Sequence, residues 1–307
     1  MRVEGLFRRS AALACTTVLA AALGLLAVAF GPLESFAREP GKDKITAYLR
    51  EGPITVYTYR PTGCEKPSLL FVFHGLGRNA YSYRNSAREL ADRKCMIVFA
   101  PLFDRERFPT WRYQRGGIVQ DQKLLRREQW TVSLVAELVA WARLEEGMPS
   151  APYYLFGHSA GGQFLSRVAA FDPPRDAAQI VIANPSTYVL PSTSEPVPFG
   201  LGRVFGPTEG ERQLSTYLDL PITIYLGNDD TGDEDLSQFP EAVRQGGNRL
   251  ERGRFVFDSA KSMARANGWN FRWRMVTASD VGHTARGMLQ ADEAIKAFGL
   301  DEPATVH

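Results

Sequence analysis

The chain has 307 residues, with 36 lysines plus arginines against 34 aspartates plus glutamates and a formal net charge of +2. Hydrophobic residues make up 44% and charged residues 23%, which excludes a disordered or low-complexity chain, and the near-neutral balance argues against a nucleic-acid partner, which needs a clustered basic excess. Four histidines and three cysteines are too few for a multi-site metal protein built on those residue types.

The chain opens with Arg2, Arg8 and Arg9, then an apolar stretch from Ala11 to Phe30, then Gly31-Pro32 and Ser35-Phe36-Ala37. A basic start, an apolar centre and small residues at the −3 and −1 positions read as a secretory signal peptide cleaved after Ala37. The alternative is an uncleaved anchor, since about 20 apolar residues span a bilayer. Gly31-Pro32 and the small-residue site favour cleavage. Arg8-Arg9 is a weak twin-arginine match, and Cys15 sits too early for a lipid-bearing cysteine. The expectation is an exported protein, periplasmic or secreted, with residues 38–307 as one domain and no stable membrane anchor once the leader is removed.

Short β-type runs then alternate with helical patterns. Ile45 to Leu49 and Ile54 to Tyr59 read as a hairpin turned by Glu51-Gly52-Pro53. Leu69 to Phe73 is a strand, Ser86 to Arg93 a helix, and Met96 to Ala100 a strand stopped by Pro101. Thr131 to Glu146 carries Val132, Val135, Leu138, Val139 and Ala142 at helical spacing. Tyr153 to Phe156 is a strand running into a helix over Gln163 to Ala170. Ile180 to Ala183 and Ile222 to Leu226 are further strands. Ser259 to Asn267 is helical, Phe271 to Val276 a strand, and Ala285 to Phe298 a last helix. This alternation predicts an α/β fold, a mostly parallel sheet with helices on both faces. Two segments break the pattern, Phe103 to Lys123 and Asn184 to Leu220. Both follow strand C-termini, where open α/β sheets bind ligands.

Cys64 and Cys95 each precede an apolar run, at one sheet end if those runs are neighbouring parallel strands. In an oxidising compartment a Cys64–Cys95 disulfide is expected, stabilising the fold by roughly 3 kcal/mol. The alternative is two reduced cysteines serving as small hydrophobes.

Gly157-His158-Ser159-Ala160-Gly161 is a G-x-S-x-G between a strand and a helix. A serine on such a turn stands exposed above the sheet, and flanking glycines let backbone approach without Cβ clashes. Its hydroxyl needs a base. His74 lies upstream, His158 is within the turn, and His307 ends the chain, which leaves His283. The orienting acid belongs after Ile222 to Leu226, where Asp229, Asp230, Asp233, Glu234 and Asp235 compete. Asp230 is preferred by its spacing from Gly227, with Asp229 and Asp233 as rivals. The surplus acids are read as solvated, with an oxygen-liganded calcium ion as the lesser reading. Two backbone N–H groups should receive the developing oxyanion, those of Ala160 and of Leu76 in His74-Gly75-Leu76-Gly77. His74 is expected to brace that loop. Trp111, Tyr113, Trp130, Tyr188 and Phe199 are candidate substrate-lining aromatics.

On these motifs the chain resembles the α/β-hydrolase superfamily, and in particular its secreted esterase and polyhydroxyalkanoate-depolymerase-like members. The resemblance covers most of residues 45 to 298. It implies an eight-stranded, mostly parallel sheet with an insertion after the sixth strand, over the active site. It also implies that the strands after Cys64 and Cys95 are adjacent. The function expected is a serine hydrolase acting on small or polymeric carboxylic esters through Ser159, His283 and Asp230, with no cofactor, metal or nucleic acid. A peptidase, an amidase or an acyltransferase would use the same acyl-enzyme, and a non-catalytic cell-envelope binding protein is the rival from another class.

Overall fold

A computed structural model of the chain describes residues 38–301; the expected leader and its cleavage point at Ala37 lie outside them. The chain begins with an antiparallel hairpin, β1 (Gly41–Leu49) and β2 (Gly52–Arg60), followed by β3 (Ser68–Phe73), helices α1 (Ala80–Ser86) and α2 (Arg88–Lys94), and β4 (Met96–Pro101). A small separate hairpin, β5 (Val119–Gln120) and β6 (Lys123–Leu124), precedes α3 (Leu134–Glu145). Then come β7 (Tyr153–His158), α4 (Ala160–Phe171), β8 (Gln179–Ala183), α5 (Pro207–Leu218) and β9 (Ile222–Gly227). The last elements are α6 (Pro240–Val243), α7 (Arg249–Asn267), β10 (Arg274–Ala278), α8 (Ala285–Gln290) and α9 (Glu293–Ala297).

Eight strands form one sheet in the order β1-β2-β4-β3-β7-β8-β9-β10. From β4 to β10 every neighbouring pair is parallel, and β2, antiparallel to both β1 and β4, is the strand of this sheet that runs against the rest. The expected insertion, between residues 184 and 221, follows β8, the sixth strand of this sheet.

The continuous apolar strands are explained by burial on both faces. Along β3, Leu69, Phe71 and Phe73 enter one core layer with Leu134, Phe164, Leu214 and Val256 of α3, α4, α5 and α7. Leu70 and Val72 enter the other, with Tyr83, Leu90, Met288 and Ala297 of α1, α2, α8 and α9. Each fully buried large side chain contributes about 1.5–3 kcal/mol of burial free energy. The hairpin is tied to α3 and to the residue that caps it by ion pairs of Arg50 with Glu137 and Arg60 with Glu146.

Helices α5 and α6 were not expected, and other elements differ in their bounds. The helix predicted over Ser86 to Arg93 is two, meeting at Ala87. The last helix is also two, because Ala291 is extended. Helix α7 starts at Arg249 rather than near Ser259, since Arg249 and Arg252 occupy its buried face and hide the apolar period. Strand β10 starts at Arg274 rather than at Phe271; Trp273, just before it, is buried and its indole N–H donates to the Tyr217 carbonyl at 3.0 Å.

The expected Cys64–Cys95 disulfide is corrected. Strands β3 and β4 are indeed adjacent, and the Ser68 N–H donates to the Cys95 carbonyl at 3.1 Å. Both cysteines are nevertheless free thiols. Burial first, and then the neighbouring Cys95, pushes the Cys64 thiol up to about 11.

Candidate active site

The Gly157 to Gly161 turn carries the chain from β7 into α4. Ser159 sits at φ 57° and ψ −117°, a conformation that L-residues avoid and that marks a turn over-determined by its surroundings. What holds it is close packing of backbone. A Cβ on Gly161 would collide with the Phe73 carbonyl at the end of β3, and one on Gly157 with the Gly161 carbonyl. The Ser159 N–H donates to the Ala183 carbonyl at 3.0 Å, which ties the turn to β8.

Three side chains from distant segments meet above the sheet. The Ser159 Oγ lies 3.0 Å from His283 Nε2, and His283 Nδ1 lies 2.7 Å from Asp230 Oδ2. Asp230 is 2% exposed, whereas Asp229, Asp233, Glu234 and Asp235 stand in solvent. The turn that buries Asp230 is fixed from both sides. The Asn184 side-chain oxygen accepts from the Gly227 N–H at 3.0 Å, and the Asp229 N–H donates to the Val281 carbonyl at 3.1 Å. The second bond joins the loop of the acid to the loop of the histidine. Asp230 Oδ1 faces the buried guanidinium of Arg249, with Nη1 at 3.4 Å; Arg249 Nη2 also donates to the Glu234 carbonyl at 2.5 Å. Among the described residues no three His, Cys, Asp or Glu side chains form a cation cage.

The other two described histidines are buried and neutral. His74 Nε2 accepts from the Phe103 N–H at 3.1 Å, so its proton is on Nδ1, which donates to the Gly75 carbonyl at 2.9 Å. Burial holds His74 down at about 3. The ring braces the His74 to Gly77 loop, as expected, and the Tyr113 hydroxyl donates to the His74 carbonyl at 2.8 Å. His158 packs on the His283 ring with centroids 4.7 Å apart, and its Nδ1 lies 3.0 Å from the Tyr83 hydroxyl. Burial first, and then the neighbouring His283 and Arg249, pushes His158 well below the usual imidazole range.

Leu76 and Ala160 both flank Ser159 in a pocket of about 160 Å³. Ala160 opens α4, so its N–H has no carbonyl one turn behind it. Of the aromatics proposed as substrate-lining, Phe199 lines this pocket. Trp111 lines a separate pocket of about 460 Å³. Tyr113, Trp130 and Tyr188 are corrected to core residues. Tyr113 and Tyr188 are fully buried, and Trp130 packs edge-on against Phe171 with its indole N–H donated to the Leu125 carbonyl at 3.0 Å. Arg249, Asn184, Gln114 and Arg115 were missed by sequence reasoning, because each meets the site through tertiary contact and no local spacing announces it.

The same fold occurs in solved structures. A poly(3-hydroxybutyrate) depolymerase, LpqC, from Bordetella parapertussis is 31% identical, with 87% of this chain and 93% of that chain covered and a TM-score of 0.78. Poly(aspartic acid) hydrolase-1 from Sphingomonas sp. KT-1 is also 31% identical, with 86% and 99% covered and a TM-score of 0.77. An S-formylglutathione hydrolase from Agrobacterium tumefaciens, at 13% identity, 85% and 96% coverage and a TM-score of 0.53, shares the fold alone. No family model and no curated protein matches the chain. The sheet order, the strained turn at Ser159 and these two relatives lead to one conclusion: the chain belongs to the α/β-hydrolase superfamily, among its esterase-like members.

Proposed function

We propose that the chain is an exported serine hydrolase that cleaves carboxylic esters through an acyl-enzyme. The observation that carries this reading is the continuous line from Asp230 through His283 to Ser159 at the mouth of a pocket. Ser159 Oγ attacks the ester carbonyl while His283 Nε2 takes its proton. Asp230 accepts from Nδ1–H, fixes the tautomer and stabilises the imidazolium. The N–H groups of Ala160 and Leu76 receive the oxyanion; loss of one such donor costs about 3–4 kcal/mol of transition-state stabilisation. The tetrahedral intermediate collapses, His283 returns the proton to the leaving alcohol, and the acyl group stays on Ser159. Water then attacks the acyl-enzyme, with His283 accepting its proton, and releases the acid and free Ser159. No step calls for a cofactor.

Arg249 adds an ion pair to this scheme. Removing one partner of a buried pair leaves an uncompensated charge, so Arg249 serves as a positioning residue for Asp230. Export is supported by the leader-like segment before Ala37; among the described residues no helix is long and apolar enough to cross a membrane.

A second reading is amide hydrolysis by the same acyl-enzyme, favoured by one relative being a poly(aspartic acid) hydrolase. A matched ester and amide of one acyl group separate the two readings. The test of the mechanism is labelling by a fluorophosphonate probe. Wild-type protein should take one label and Ser159→Ala none; equal labelling of the two would refute the assignment of the nucleophile.

A further inference from the structure

Two clefts meet at Ser159, and His283 lines only one of them. The first holds Ser159, His158 and His283 together with Asp235 and Arg286. The second, of about 160 Å³, holds Ser159 and Ala160 but not His283. A leaving alcohol must be protonated by His283 and therefore departs on the His283 side. The acyl group is left with the second cleft.

That acyl cleft is not built for a hydrocarbon chain. Its wall carries Gln114, Arg115, Gln163 and Thr187. The Thr187 hydroxyl donates to the Gln163 side-chain oxygen at 2.9 Å. Gln114 is different. It is 7% exposed and its Oε1 is buried without a hydrogen-bond partner. Beside it the Arg115 guanidinium lies over the Phe239 ring, 4.4 Å from the centroid. Arg115 is half-buried, and it forms no ion pair among the described residues. Half-buried Glu241 acts on it only at longer range. Exposed Asp235 borders both clefts and stands toward the His283 side. An alkyl chain seated here would strip water from the half-buried Arg115 cation, and leaving a charge unpaired is costly. A carboxylate on the acyl chain gives the guanidinium a partner, accepting from its N–H groups in charge-assisted hydrogen bonds.

We propose that this cleft is an anion-binding acyl subsite in which Arg115 selects acyl groups that end in a carboxylate. This rests on the ester-hydrolase reading and names its substrate class.

The test uses two esters of one length on the full chain. In 4-nitrophenyl hydrogen glutarate a carboxylate stands where 4-nitrophenyl valerate has a methyl group. The spontaneous hydrolysis of each is subtracted. Wild type should favour the glutarate ester by at least about tenfold in kcat/KM, the size of one charge-assisted hydrogen bond. Arg115→Met should lower the glutarate-to-valerate ratio by about tenfold or more, and Arg115→Lys should restore part of it. A ratio near one in wild type, or a ratio that Arg115→Met leaves unmoved, overturns the proposal. A second arm needs no turnover. Calorimetric titration of Ser159→Ala with methyl hydrogen glutarate should detect binding that the added Arg115→Met change removes; no binding, or binding indifferent to that change, also overturns it. Failure of the ester-hydrolase reading looks different, as absent fluorophosphonate labelling and no turnover of either ester.

Discussion

Asp230 is the residue on which the site's geometry converges, since it meets His283 through one oxygen and Arg249 through the other. Asp230→Asn keeps the size and offers an amide where His283 needs an acceptor. It should cut kcat by about 10³–10⁴-fold, measured on any ester that wild type turns over. Asp229→Asn and Asp233→Asn remove exposed charges and should each stay within about threefold. A large loss at either would mean that the orienting acid is not Asp230. At this scale the sequence was informative about residues bound to a motif. Ser159 follows from its glycines, His283 from the shortage of histidines, and Asp230 from its distance to Gly227. It was silent on Arg115 and Gln114, whose segment reads as an irregular loop. It misled on Tyr113, Trp130 and Tyr188, because an aromatic near a strand end looks the same whether it packs inward or faces a pocket.

At the scale of elements, helix α4 lies so close to strand β3 that the two touch backbone to backbone at Gly161 and Phe73. Gly161→Ala should therefore destabilise the protein by about 1–3 kcal/mol or more, read as a fall in the urea midpoint. Gly232→Ala, where a Cβ meets open space, should stay within about 0.5 kcal/mol. Equal midpoints for the two would show that the elbow has room to spare. Strand and helix identities were legible wherever the buried face is apolar, as along β3, β4 and α3. They were lost where arginine fills a buried face. On α7, Arg252 donates to the Gly246 carbonyl at 2.9 Å and to the Ser186 carbonyl at 2.5 Å, so a polar residue holds a core position that no periodicity rule assigns to it.

For the molecule as a whole, the buried neutral histidines make stability depend on pH. His74 titrates at about 3 in the fold against 6.5 for a free imidazole, and His158 is shifted the same way. Below about pH 6.5 the unfolded chain binds protons that the folded chain refuses, so stability is full above that pH and falls as the pH is lowered toward the folded value. His74 alone should remove on the order of 3 kcal/mol between pH 6.5 and pH 4. Urea titrations across that range should show the fall, and His74→Gln should flatten it. A variant with an unchanged slope would mean that His74 is not held neutral.

The three side chains proposed to react also set a schedule for the chain. Ser159 and His283 are 124 residues apart, and Asp230 and His283 are 53 apart. The loop of Asp230 is tied to the loop of His283 only once β10 has docked on β9. A chain emerging from synthesis thus has the residues of the Ser159 turn long before His283, the proposed base, exists. Long-range closure is slow because loop entropy must be overcome before the contacts form. Activity should return last on refolding, after the fluorescence of the core has settled. A nascent or still-unfolded chain would carry its serine harmlessly past every ester it meets.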